Sequence, residues 1–111
     1  MRVAVAVMMA TFVIVGRGES QTGRQIFEGK GNCHVCHAKT GKGTPLGPDL
    51  TDGEWIHIDG SLPAIAGLVR SGVAKPARYP APMLPMGGAK LTKEEIDAVA
   101  TYVKELGKPR G

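Results

Sequence analysis

The sequence predicts a small all-α domain of three to four helices joined by long loops. Three observations lead there. Segments 61–72 and 92–107 carry apolar residues at helical spacing between start and stop signals, and no run in the chain reads as a strand. Gly 16 and Pro 8 in 111 residues punctuate the remainder, and aromatic residues are only 5%. A chain so composed is poorly equipped to fill an ordinary core, and a large flat apolar cofactor at the centre answers that need. The third observation is Cys33-His34-Val35-Cys36-His37. Two cysteines three apart, with a histidine directly after the second, have the spacing of a c-type haem attachment site.

The geometry of one helical turn explains that spacing. Both thiols can form thioethers to vinyl groups on one porphyrin edge, and the next residue turns its imidazole under the iron. His37 is thus the candidate proximal ligand, with Cys33 and Cys36 carrying one haem c. The same cysteines also admit other readings. A thioredoxin-like pair needs a βαβ setting, a disulfide over so short a loop stabilises little, and zinc needs two further ligands. Only His34 and His57 remain to supply them.

Together with the segments quoted below, the motif resembles the small class I c-type cytochromes over nearly everything after the first twenty residues. The resemblance implies the small cytochrome c fold, with loops wrapped around the covalently bound haem, and a methionine as the second axial ligand.

The chain is short enough for one domain. Residues 1–18 read separately. Arg2 precedes an apolar run from Val3 to Val15, and Gly16-Arg17-Gly18 ends it with small residues. That run is 13 residues, short of the roughly 20 a spanning helix needs, and it reads as a secretory leader cleaved after Gly18. An uncleaved anchor is the alternative, and membrane association is expected only then. Residues 19–111 form the haem domain, and both readings place it outside the cytoplasm. The formal charge of +4 loses Arg2 and Arg17 with the leader. Two haem propionates bring the remainder near zero, so charge points to no nucleic-acid or membrane-surface partner.

The first helix of this domain is expected from Thr22, as N-cap, to Gly29 or Gly31. Gly23-Arg24-Gln25-Ile26-Phe27 is similar to the family's Gly-x-x-x-aromatic pattern, in which the glycine admits a second helix backbone. The same glycine can also simply mark a helix start. After His37 the chain reads as loop to about Gly60. Within it Gly47-Pro48-Asp49-Leu50 is similar to the family's Gly-Pro-x-Leu segment. By resemblance, the Pro48 carbonyl accepts a hydrogen bond from the proximal imidazole and Leu50 packs on the porphyrin; Pro45 is the alternative acceptor. Trp55, the only tryptophan, either offers its N–H to a haem propionate or packs at the edge. His57 reads as a solvated loop residue and a distant candidate for the sixth ligand, and His34 as a surface residue.

Ser61 starts the next helix, Pro63 sits in its first turn, and Leu62, Ile65, Ala66 and Val69 form its apolar face up to Gly72. Residues 73–90 then break, with Pro76, Pro80, Pro82 and Pro85 keeping the backbone extended. Met83-Leu84-Pro85-Met86-Gly87-Gly88 resembles the family's Met-x-Pro-x-Gly-Gly segment, which implies Met83 as axial ligand and leaves Met86 as the competitor. Tyr79 can hydrogen-bond a propionate or pack. Thr92-Lys93-Glu94-Glu95 is a capping box opening a last helix along Ile96, Val99, Ala100, Val103 and Leu106, stopped by Gly107 and Pro109. By resemblance, Tyr102 meets the first helix near Gly23 and Phe27.

No catalytic triad, paired carboxylates or phosphate loop appears, so no catalytic residue is assigned. An iron ligated by His37 and Met83 leaves no open position, and one-electron exchange is the expected function. The expectation is an exported carrier in a respiratory or photosynthetic chain, with protein redox partners as donor and acceptor, working as a monomer or within a larger redox complex. A subunit of a periplasmic dehydrogenase or oxidase is the runner-up. A haem enzyme or gas sensor with a labile methionine comes behind it.

Overall fold

A computed structural model describes residues 18–108. Its helices are α1 (Gly18–Glu28), α2 (Cys33–His37), α3 (Leu62–Ser71) and α4 (Lys93–Leu106), with a tight turn at Pro85–Gly88. The described residues contain no strand, only two isolated antiparallel bridges, Thr44 with Gly47 and Val73 with Met83. The all-α expectation holds. The leader reading, Gly18 aside, and Pro109 fall outside the described residues.

α1 begins at Gly18, so Thr22 lies inside it and is not its N-cap. Glu19 and Gln21 are good helix formers and nothing before Thr22 breaks the turn, so the helix propagates past the capping signal. Its inner face, Ile26 and Phe27, is buried against Ile96, Val99 and Val103 of α4. The two helices cross at Gly23, where an added Cβ would run into the Ala98 carbonyl and come within 2.7 Å of the Tyr102 Cβ. Close helix approach, not a helix start, is what that glycine serves. The Tyr102 ring meets Phe27 edge-on at 5.3 Å between centroids, the preferred geometry for an aromatic pair.

α3 adds Ile65, Ala66 and Val69 to the same core. The Ser61 hydroxyl accepts from the Ala64 amide at 3.3 Å, and Gly72, at φ 67°, ends the helix. Leu62 is an exception to the expected apolar face and stays exposed. The capping box of α4 forms in full, with Glu95 N–H donating to Thr92 Oγ1 (3.1 Å) and Thr92 N–H to Glu95 Oε1 (2.9 Å). Both Glu95 oxygens also accept from Lys30 Nζ at 2.8 Å, which fastens the α1–α2 turn to the start of α4.

Candidate haem site

α2 presents the motif at the wall of a cleft of about 940 Å³, counted with its open mouth. Asn32, at φ 55°, introduces the helix in the left-handed region. Cys33 and Cys36 are free thiols, not paired with each other. Burial pushes the Cys33 thiol up to about 11, with Cys36 adding to the rise and a backbone hydrogen bond opposing it. Such a thiol is protonated at neutral pH and is a poor redox nucleophile. Among the described residues no three His, Cys, Asp or Glu side chains converge as a metal cage either. The thioredoxin-like and zinc readings therefore find no support in the site.

His37 is 8% exposed, and its Nδ1 lies 2.9 Å from the Pro48 carbonyl. A carbonyl only accepts, so Nδ1 carries the proton and Nε2 keeps its lone pair. Burial lowers the imidazole pKa, partly offset by the Pro48 bond, and a neutral ring is what a metal ligand requires. Pro45 is exposed and plays no part in this bond. Gly47 is buried against Cys36, where an added Cβ would sit 3.0 Å from the Cys36 carbonyl oxygen. Thr44 Oγ1 donates to that carbonyl at 2.6 Å, and the Gly43 amide donates to the His37 carbonyl at 2.9 Å.

The eight residues expected at the site, Cys33, Cys36, His37, Pro48, Leu50, Trp55, Tyr79 and Met83, all line this one cleft. Met83 is half-buried and reaches it from the far loop. Two bonds hold its backbone there, Val73 N–H to Met83 O at 2.8 Å and Met83 N–H to Val73 O at 2.9 Å. Met86 is half-buried but does not line the cleft. The loop is not extended throughout: Met86 and Gly87 take left-handed conformations, at φ 53° and 65°, and fold 85–88 into a tight turn. That reversal is what separates the two methionines.

His57 borders the cleft but is exposed, its Nε2 accepting from the Ala77 amide at 3.5 Å. His34 is not the plain surface residue expected. It is half-buried, with Nδ1 3.2 Å from the Phe27 carbonyl at the end of α1, a partner to one of the orphan carbonyls of that helix end. Ile65 and Val69, expected only as core, also line the cleft. Their helical stripe gave no signal that the core and the cofactor wall are one surface.

A family model described as cytochrome c matches residues 20–107. The chain belongs to the cytochrome c family. It is also 34% identical over 93 residues to the cbb3-type cytochrome c oxidase subunit CcoP of Rhodobacter capsulatus. That match covers 80% of this chain and 30% of the relative, so the chain spans under a third of the oxidase subunit's length. No solved structure matches it significantly. Membership in the cytochrome c family means covalently bound haem c, and Cys33-x-x-Cys36-His37 is its attachment motif. The residues fit the group: two unpaired thiols and a neutral imidazole share an open, apolar-walled cleft. The cytochrome's role is electron transfer. No helix among the described residues is long and apolar enough to cross a membrane.

Proposed function

We propose that this cytochrome is an exported one-electron carrier of a respiratory or photosynthetic chain, with His37 and Met83 as its axial ligands. The observation that carries this reading is that Met83 lines the cleft containing Cys33, Cys36 and His37, whereas Met86 lies outside it. The haem supplies exchange of one electron between ferric and ferrous iron, and a thioether ligand favours the ferrous state. The protein does the rest. Pro48 fixes the His37 tautomer and ring orientation and strengthens Nε2 as a donor. Leu50, Ile65 and Val69 give the cleft apolar walls. Trp55 and Tyr79 line the same walls, and each carries one donor, an N–H and an O–H, of the kind a propionate accepts. The charged start and short apolar run of residues 1–18 support export.

A second reading, as the cytochrome subunit of an oxidase complex, is favoured by the similarity to the CcoP subunit. Elution of the native holoprotein alone, or with a larger partner, separates the two readings.

The ligand assignment is tested by absorption spectra and redox titration of holoprotein variants. Met83→Ala is expected to abolish the weak red charge-transfer band of sulfur-ligated ferric iron and to lower the potential, because a soft ligand to ferrous iron is lost. Met86→Ala is expected to keep the band with only a small shift in potential. The reverse pattern assigns the ligand to Met86, and a wild-type protein without the band points to His57.

A further inference from the structure

The turn between α1 and α2, Gly29–Asn32, touches more of the molecule than its length suggests. Gly31 N–H donates to the Ile26 carbonyl at 2.8 Å, Asn32 N–H to the Gly29 carbonyl at 2.9 Å, and the Asn32 carbonyl accepts from Val35 at 3.1 Å. These bonds close α1 and open the haem-attachment helix. The Asn32 side chain does something else: its Nδ2 donates to the Gly87 carbonyl at 3.1 Å, 55 residues away. Gly87, at φ 65°, lies so close to the Gly31 carbonyl that an added Cβ would run into it. The methionine loop and the attachment helix thus meet backbone to backbone, with one amide hydrogen bond beside the contact.

A left-handed turn by itself asks only for glycine or asparagine. A donor aimed at a distant carbonyl asks for asparagine. On its other side the loop is bound by the Val73–Met83 pair, where Gly72 leaves no room for a Cβ beside the Met83 carbonyl. Met83 therefore sits between two anchorages, one at the end of α3 and one at the start of α2.

We propose that Asn32 is a positioning residue that latches the Met83–Gly88 loop to the haem-attachment helix and so limits release of the sixth ligand. The inference rests on Met83 being the axial ligand for its effect on iron, but not for the latch itself. Without the Asn32 donor the loop keeps the Val73 anchorage and opens more often at its Gly87 end. Exogenous ligands then compete with the sulfur more easily.

The test uses ferric holoprotein as wild type, Asn32→Gly and Asn32→Asp. Glycine keeps the left-handed backbone and removes the donor. Aspartate keeps the shape and sets a carboxylate against the Gly87 carbonyl. Two quantities are measured: amide hydrogen exchange at Gly87 and Ala89, and the affinity for added imidazole. Asn32→Gly is expected to raise both by roughly two- to fivefold, the ratio that ~0.5–1 kcal/mol represents, and Asn32→Asp by more, with exchange in α4 unchanged. Variants that exchange and bind imidazole as wild type does would overturn the latch. Faster loop exchange in a protein whose wild type lacks the sulfur band would uphold the latch and reject Met83 as ligand. Equal acceleration in α4 would show general destabilisation and overturn the positioning role.

Discussion

The two regions that bring the proposed axial ligands to the cleft, residues 33–48 and 73–88, differ in how far along the chain their bonds reach. Around His37 the bonds are local: Pro48 lies eleven residues on, and Thr44 reaches back eight residues to Cys36. Around Met83 one is local and one remote: Val73 lies ten residues back, and Asn32 reaches Gly87 across 55 residues. The loop is held to the end of α3 by Val73 and to the α1–α2 turn by Gly87 and Asn32. The histidine side therefore carries most of its own scaffold within sixteen residues, and the methionine side shares one of its two anchorages, at Gly87, with a turn that must already be packed. Disturbance of the fold should reach the proposed sixth ligand, Met83, before His37.

The largest contrast is expected from Gly87→Ala. The new Cβ meets the Gly31 carbonyl, a backbone atom, in a conformation that is itself costly for alanine. Most of the sulfur band should disappear and imidazole affinity should rise about tenfold or more, while haem stays covalently bound. A spectrum and an imidazole titration check this. A variant retaining the full band and the wild-type affinity breaks the comparison.

Thr44→Val tests the other side. It removes the half-buried bond to the Cys36 carbonyl and should cost about 1 kcal/mol of stability in thermal unfolding. Because Pro48 still holds His37, the band and the potential should not move. A shift in either would show that the histidine side is less self-contained than its contacts indicate.

The smallest effect concerns the shared turn. Lys30, and after it the Thr92 amide, hold the Glu95 carboxyl below the usual carboxylate range. A carboxyl depressed in the folded state adds stability above its unfolded value, near 4.5, and loses that contribution as pH falls from there through the lower folded value. Glu95→Gln keeps an acceptor for Thr92 and removes the charge. Its Tm should lie slightly below wild type at pH 7, and the gap should close in acid. A gap of constant size would assign the effect to the cap instead of the ion pair.

The same difference in reach explains what the sequence made legible. The attachment motif, the Ser61 cap, the capping box at Thr92 and the stops at Gly72 and Gly107 all work within a few residues, so residue type and spacing carry them. Pro48 and Met83 were legible through the segments resembling cytochromes, and both line the cleft. Thr22 misled because a capping residue yields when the preceding residues can continue the helix. Asn32 and His34 gave no warning. Asn32 acts through a contact 55 residues away, and His34 through a carbonyl that only the packed turn brings near its ring. The turn at Met86 was hidden by prolines that suggested an extended path.

The crossing of α1 and α4 at Gly23 has a consequence for how such a chain can diversify. It ties together residues as distant as 23 and 102, so everything between them is one ring already closed by helices. Enlarging a closed ring is cheap, since each doubling of loop length costs only about 0.6 kcal/mol. Exposed turns away from the ligand anchors, such as Asp52-Gly53, can lengthen with little loss of stability. Surface novelty is therefore inexpensive here, while the glycines at 23, 72 and 87 leave almost no room for change.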